Sequence, residues 1–403
     1  MKFTFATALR RATRLTRARL TRAGNAGSAT SAMQRAIGGA MARSVVASLS
    51  VLAPGKPKPA TKPRKSKAKM PRKGTSPKSP SADRRLSVVL RQLRAAKAAM
   101  PGPFLLSGQA GPSKHPAIPK GARYLERTHT SSAGARDFKL YLPARHPGGP
   151  KGLIVMLHGC SQDPDDFAIG TNMNTIAQKH GLAVAYPAQT RSHNAASCWN
   201  WFAPANQSRG AGEPAVIAGI ARGLMREFDL ERHQVFVAGL SAGGAMAVIL
   251  ADTYPDVFAA AGVHSGLARG AANNLLTALS AMRSGGTPDQ PAASRRKGAA
   301  QSMRRIIFHG DADDTVHPSN AAQIVARAVG RRTPDRVGPS SAAGRDYVRS
   351  EYQLPDGTVD LELWQLTGAG HAWSGGKAGG TYTDPEGPDA SAEMVRFFLG
   401  KAD

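Results

Sequence analysis

Three things are scarce in this chain: cysteine, uninterrupted apolar sequence, and clusters of metal-binding side chains. Among 403 residues there are only two cysteines, Cys160 and Cys198. No stretch approaches the roughly 20 apolar residues that a membrane-spanning helix needs, so no transmembrane segment is predicted. No set of His, Cys and carboxylate residues has the spacing of a metal site. We therefore expect neither a metal ion nor an organic cofactor.

Acidic residues are almost missing from the first hundred positions. Residues 1–100 contain 24 basic and 1 acidic residue, whereas residues 121–403 contain 28 basic and 26 acidic ones. The net charge of +27 is therefore a property of the N-terminal part. The nearly neutral residues 121–403 are long enough to bury the core of one large domain.

The basic part divides into two predicted segments. Residues 1–54 form a partly helical segment, because apolar and arginine residues alternate over 3–23 as in a basic amphipathic helix. Residues 55–120 form a disordered linker, because proline and like charges dominate the stretch from 55 to 80. Such a tail is either solvated or a weak binding site for polyanions.

The compartment of the protein is left open by the sequence. The candidate core of a secretion signal, residues 45–53, is short, interrupted by serine and far from the first residue. An extracellular or periplasmic location is our first expectation, and a cytoplasmic one is the alternative.

After residue 121, apolar strands alternate with helical patterns, which predicts an α/β fold with a mostly parallel central sheet covered by helices on both faces. Residues 137–142 alternate as an edge strand should, and the continuously apolar residues 152–157 suit a central strand. Residues 269–301 are predicted to leave the sheet and cap a cleft. The remaining predicted strands are 182–187, 233–238, 259–263, 305–308 and 361–366, and the predicted helices are 166–180, 214–228, 244–254, 319–328 and 391–399.

The sequence Gly239-Leu240-Ser241-Ala242-Gly243 lies between a predicted strand and a predicted helix of small residues. This order is typical of a nucleophile elbow, in which a sharp turn presents a serine at the carboxyl edge of the sheet. Glycines two residues on either side leave room for the close crossing of strand and helix. The helix that follows would direct its N-terminal dipole at a developing oxyanion.

A serine nucleophile needs a histidine base, and that base needs a carboxylate to orient it. His371 follows the last predicted strand on a glycine-rich loop, which makes it the best placed of eleven histidines. Three carboxylates follow the strand at 305–308, and we select Asp313 over Asp311 and Asp314 because its loop position allows it to reach His371. We expect His158, His264 and His309 to be structural.

The end of the central strand at residue 157 is a predicted oxyanion loop. Its backbone donors would be the N–H group of Cys160, with that of Ser161 as an alternative, together with the N–H group of Ala242, the residue after the nucleophile. Aromatic side chains near the proposed site, Trp199, Trp201 and Trp373, are predicted to form a wall for an apolar acyl group. Cys160 and Cys198 are either unrelated thiols or a disulfide between two loops at the same edge.

The chain resembles the poly(3-hydroxybutyrate) depolymerase-like esterases, α/β hydrolases that also include feruloyl and acetylxylan esterases. The segments that carry the resemblance are 157–160 (LHGC), 198–202 (CWNWF), 239–246 (GLSAGGAM), 263–266 (VHSG), 309–313 (HGDAD), 370–376 (GHAWSGG) and 382–391 (YTDPEGPDAS). The resemblance implies a triad of Ser241, Asp313 and His371, and it supports a Cys160–Cys198 disulfide.

The function implied by these residues is hydrolysis of poly(3-hydroxyalkanoate) or its oligomers through an acyl-enzyme. One alternative is an esterase that removes feruloyl or acetyl groups from plant polysaccharide. A second alternative, of another class, is a protein that binds a polyanion or a granule surface through residues 1–100.

Overall fold

The computed structural model of the chain describes residues 115–144, 148–285 and 303–400. The basic segment predicted over residues 1–54 lies outside these ranges, as does the predicted linker up to residue 114. In the described ranges, no helix has the length and apolar character required to cross a membrane.

Ten strands form one mixed sheet, and six of them are parallel at its centre. In chain order the ten are β1 (Arg123–Ser131), β2 (Gly134–Leu142), β3 (Leu153–Leu157), β4 (Ala183–Pro187), β5 (Val235–Leu240), β6 (Ala260–His264), β7 (Arg304–Gly310), β8 (Arg336–Ala342), β9 (Arg345–Gln353) and β10 (Val359–Leu366). Their spatial order is β1, β2, β4, β3, β5, β6, β7, β10, β9, β8. Strands β4, β3, β5, β6, β7 and β10 run parallel, and β1, β2, β8 and β9 add antiparallel margins.

Helices cover both faces of this sheet. They are α1 (Pro164–Thr171), α2 (Met173–His180), α3 (Gly212–Phe228), α4 (Ala242–Thr253), α5 (Leu275–Ser284), α6 (Ser319–Val329) and α7 (Ala390–Phe398). Side chains of α3, α4 and α5 form the core on one face, while side chains of α1, α2 and α7 form the core on the other. Strand β3 is apolar at every position because alternate residues enter these two cores: Val155 packs with α3 and α4, and Met156 with α1 and α7.

The predicted α/β-hydrolase fold class is therefore confirmed, with local corrections. The prediction of an edge strand at 137–142 is wrong, because β1 pairs along the whole of β2 and takes the edge itself. The predicted helix 166–180 is two helices, separated at Asn172, whose backbone is left-handed with φ 52°. His233 lies in a short 3-10 helix (Arg232–Gln234) that precedes β5. Residues beyond 285 in the predicted cap lie outside the described ranges.

Candidate active site

Ser241 is the single residue between β5 and α4. Its backbone angles are φ 57° and ψ −117°, a conformation that L-residues rarely adopt and that the elbow imposes on them. A Cβ atom added to Gly239 would overlap the Gly243 carbonyl group, and one added to Gly243 would overlap the Leu157 carbonyl oxygen. The two glycines therefore allow β5, α4 and the end of β3 to meet beneath the serine.

The loop after β3 carries the backbone N–H of Cys160, which is a predicted oxyanion donor. The Gly159 N–H donates to the Gln162 Oε1 atom at 2.9 Å, and the Ser161 N–H donates to the Ala196 carbonyl at 2.9 Å. Among the described residues, none accepts a hydrogen bond from the Cys160 N–H. Ala242 is the first residue of α4, so its N–H has no acceptor within the helix. These are the two predicted oxyanion donors.

A disulfide joins Cys160 to Cys198, with 4.2 Å between their Cα atoms. It links the loop after β3 to the loop after β4, as the resemblance implies. The cross-link constrains the segment whose Cys160 N–H is the predicted oxyanion donor.

Asp313 and His371 are brought together from the ends of two neighbouring strands, β7 and β10. The His371 Nδ1 atom lies 2.8 Å from the Asp313 Oδ2 atom, and both side chains are almost fully enclosed. The other oxygen, Oδ1, accepts the N–H groups of Thr315 at 3.0 Å and Val316 at 2.8 Å. Burial favours the neutral carboxyl, but the hydrogen bond and charge of His371 and the Val316 N–H prevail and hold the pKa of Asp313 below its usual value.

The two rejected carboxylates face solvent. Asp311 accepts the Gly368 N–H at 2.6 Å through Oδ1, so it holds the turn that leads to His371. Asp314 is exposed. Gly310 is required here because a Cβ atom would overlap the Ala369 carbonyl oxygen, where the two loops cross. Asp313 thus contacts His371, whereas Asp311 and Asp314 are exposed.

His264 connects the serine to the histidine loop as a structural residue. Its carbonyl accepts the Ser241 N–H at 2.9 Å, and its ring Nε2 atom accepts the Ser374 N–H at 3.1 Å. The ring must be neutral to accept that bond, and burial together with the nearby His309 and His371 lowers its pKa to about 3. His264 therefore ties the elbow to the loop that carries His371.

His158 has a similar role beneath the oxyanion loop. Its ring Nε2 atom accepts the Gln189 N–H at 3.0 Å, and burial lowers its pKa. Its carbonyl accepts the indole N–H of Trp199 at 3.1 Å. The third histidine, His309, is buried at the end of β7 with its Nε2 atom 2.7 Å from the Val316 carbonyl.

The three tryptophans predicted to form an acyl wall are enclosed in the protein. Trp199, Trp201 and Trp373 are 0%, 4% and 1% exposed. Trp373 stacks on His264 with ring centroids 5.3 Å apart, and its indole N–H donates to the Ser391 hydroxyl at 3.1 Å. In this conformation the rings support the loops of the site from within and present almost no surface to a ligand.

One aromatic residue beside the site was assigned no role from the sequence. Tyr382 is 44% exposed, and its ring meets that of His371 edge to face with centroids 6.4 Å apart. It lies in the segment 382–391 that contributes to the family resemblance, but its distance along the chain from the other loops gave no sign of the contact. Among the described residues, no group of three or more His, Cys, Asp or Glu side chains could hold a metal ion.

The chain matches a known protein family. The family model described as Esterase PHB depolymerase matches residues 136–338, which is half of the chain and includes Ser241 and Asp313. The chain belongs to the PHB depolymerase esterase family. His371 lies beyond the matched segment. Its assignment to the proposed triad therefore depends on its hydrogen bond with Asp313.

Curated relatives of this chain differ in the substrates that their names give. Poly(3-hydroxyalkanoate) depolymerase C of Paucimonas lemoignei is 30% identical over 268 residues, covering 64% of this chain and 62% of that protein. A probable acetylxylan esterase A of Aspergillus clavatus is 28% identical over 244 residues, covering 58% of this chain and 78% of that protein. The chain thus spans less than two thirds of the first relative's length.

Among solved structures, an acetyl xylan esterase from Aspergillus awamori has a similar fold. It superposes with a TM-score of 0.55 at 22% identity, covering 69% of this chain and 99% of that chain. At this identity the likeness concerns the fold alone.

Proposed function

We propose that the protein is a serine carboxylesterase in which Ser241, His371 and Asp313 form the catalytic triad. The Ser241 hydroxyl attacks the ester carbonyl carbon while the His371 Nε2 atom takes its proton. Asp313 accepts the Nδ1–H bond and stabilises the imidazolium. The Cys160 and Ala242 N–H groups donate to the oxyanion of the tetrahedral intermediate.

Collapse of that intermediate breaks the bond to the alcohol, which leaves with the proton held by His371. The acyl group then remains on Ser241 as an ester. Water attacks it while His371 again takes a proton, and the acid is released as Ser241 regains its hydrogen. All of these steps use side chains and backbone groups of the chain itself.

The observation that carries the proposal is the buried hydrogen bond of 2.8 Å between His371 and Asp313. It fixes Nδ1 as the protonated nitrogen and leaves Nε2 as the base. Asp313 in turn is held by two backbone donors, so the orientation of the imidazole is determined by the fold rather than by the substrate.

For the substrate we propose poly(3-hydroxyalkanoate) or its short oligomers. The family match and the relative from Paucimonas lemoignei support this class. Acetyl or feruloyl esters of plant polysaccharide are the second candidate, supported by the acetylxylan esterase relative, of whose length the chain covers 78%.

We further propose that the enzyme works outside the cytoplasm, in the periplasm or the medium. The Cys160–Cys198 disulfide supports this location, because such bonds persist in oxidising compartments.

The test is hydrolysis of p-nitrophenyl acetate, 3-hydroxybutyrate trimer, amorphous polymer, acetylated xylan and methyl ferulate by the full chain. We expect Ser241→Ala to lower kcat by about 10⁵-fold or more, as loss of a triad nucleophile does. Ser340→Ala on the exposed strand β8 is the matched control and should retain full activity. The highest kcat/KM should fall on the trimer or the polymer.

Preference for acetylated xylan or methyl ferulate would replace the polyester substrate by the second candidate. A full chain without activity on any ester would overturn the esterase proposal. Binding to a polyanion that weakens steeply with salt would then favour the role of residues 1–100.

A further inference from the structure

Tyr382 lies beside His371 in an unusual conformation. Its backbone is left-handed, with φ 50°, which costs free energy in a residue other than glycine. Its side chain is nonetheless 44% exposed, so burial of the ring does not explain why the conformation is kept. Its hydroxyl lies 3.4 Å from the Ser161 hydroxyl, on the oxyanion loop.

A polar clamp holds the segment that carries Tyr382. The preceding residue, Thr381, donates its N–H and its hydroxyl to the two oxygens of Asp166, at 2.8 and 2.6 Å. The buried Gln162 amide donates to the Thr381 carbonyl at 3.0 Å. The Gln162 Oε1 atom accepts the Gly159 N–H at 2.9 Å, so one side chain holds both the oxyanion loop and the segment at Tyr382.

Backbone contacts fix the same segment from its other side. The Tyr382 carbonyl accepts the Trp373 N–H at 2.8 Å, two residues beyond His371. A Cβ atom on Gly380 would lie 2.5 Å from the Gly170 Cα atom on α1, so the two chains pass without room for a side chain. The exposed ring is therefore presented by a rigid support.

The position of the Tyr382 ring indicates which side of the scissile ester bond it can contact. The leaving oxygen of the ester must come within hydrogen-bonding reach of the His371 Nε2 atom, because that atom returns the proton to the alcohol. Tyr382 meets the His371 ring and also reaches the oxyanion loop at Ser161. A group attached to the leaving oxygen would thus pass along the phenol ring.

We propose that Tyr382 is a specificity-determining residue that contacts the alcohol portion of the ester. This inference rests on the proposed esterase function. The ring offers an apolar surface to an alkyl chain, and the hydroxyl can donate to a carbonyl carried by the alcohol. The alcohol portion it fits is a hydroxyacyl group, in which one short alkyl chain carries the ester oxygen on one carbon and a carbonyl group farther along.

Two pairs of esters separate this role from a general effect on the site. Methyl 3-hydroxybutyrate and the 3-hydroxybutyrate dimer share an acyl group and differ in the alcohol. The acetate and butyrate of p-nitrophenol share the alcohol and differ in the acyl group. Tyr382→Asn removes the ring with a residue that tolerates the left-handed backbone, and Tyr382→Phe removes only the hydroxyl.

We expect Tyr382→Asn to lower kcat/KM for the dimer about tenfold more than for the methyl ester, mainly through KM, as loss of substrate contacts does. Tyr382→Phe should give a smaller loss of the same kind. The ratio between the two p-nitrophenyl esters should not change. Val337→Ala, at an exposed position of β8, should leave both ratios as they are.

Equal losses on all four esters, or a change confined to the acyl pair, would overturn the inference. Failure of the polyester proposal looks different, since the unaltered enzyme would then cleave methyl 3-hydroxybutyrate and spare the dimer. In that case methyl acetate and benzyl acetate replace the first pair of esters. Tyr382→Asn must then still lower kcat/KM more for benzyl acetate, which has the larger alcohol, than for methyl acetate.

Discussion

The parallel centre and the antiparallel margins of the sheet differ in how tightly their residues are packed. All six residues of β5 are buried, whereas six of the seven residues of β8 are exposed. The loops at the carboxyl ends of the central strands hold the serine, the histidine and the carboxylate of the proposed triad. Tight packing is thus concentrated where reacting groups must be positioned, and the margins extend the sheet without entering the proposed site.

The largest contrast between the two regions should come from glycine. Gly243→Ala places a methyl group against the Leu157 carbonyl, so we expect the free energy of unfolding to fall by more than about 4 kcal/mol. Gly338→Ala on β8 meets nothing within 4 Å and should change it by less than about 1 kcal/mol. Urea denaturation followed by circular dichroism measures both, and equal losses would refute the contrast.

A second pair of variants compares two carboxylates in the loop that follows β7. Asp313→Asn should lower kcat on p-nitrophenyl acetate by about 10⁴-fold, because the amide no longer stabilises the correct tautomer and the imidazolium of His371. Asp311→Asn, two residues away and exposed, keeps an oxygen for the Gly368 N–H and should cost less than about threefold. Similar losses in the two variants would remove Asp313 from the triad.

The third contrast concerns pH. Burial lowers the pKa of His264 to about 3 in the folded protein, from 6.5 in an exposed histidine. Below pH 6.5 the unfolded chain therefore binds a proton that the folded chain does not. The free energy of unfolding consequently decreases as the pH decreases. At pH 5 this loss is about 2 kcal/mol.

Between pH 7 and pH 5, the free energy of unfolding of His264→Gln should decrease by about 2 kcal/mol less than that of the parent protein. His129 on β1 also has its pKa lowered by burial, but it is only half-buried, so His129→Gln should have a smaller effect of the same sign. Parallel pH profiles for the parent and His264→Gln would contradict a neutral, buried His264.

The same difference explains which strands could be predicted from the sequence. Each central strand is buried on both faces, so β3, β4 and β5 are continuous apolar runs that predict strands directly. Strand β8 contains Gly338 and Pro339 among polar residues, and β1 alternates weakly, so neither had a distinct pattern. Because β1 has no such pattern, the sequence predicts β2 as the edge strand, whereas β1 pairs along it.

The site residues that the sequence predicts are those that lie at the ends of the central strands. The elbow and the two strand-end loops were recognisable because Ser241, Asp313 and His371 each follow an apolar run. The contact between Tyr382 and Ser161 joins residues 221 positions apart, and no local pattern indicates such a pairing. The burial of Trp199 and Trp373 likewise depends on how loops fold over the core, which composition alone does not reveal.

The most direct test of the central claim is to trap the acyl-enzyme. The full chain is mixed with p-nitrophenyl acetate, quenched in acid within milliseconds, digested and analysed by mass spectrometry. The account predicts an acetyl group on Ser241 that forms before steady-state turnover and is missing from Ser241→Ala. Turnover without an acetylated serine, or acetylation of another residue at the rate of turnover, would contradict it.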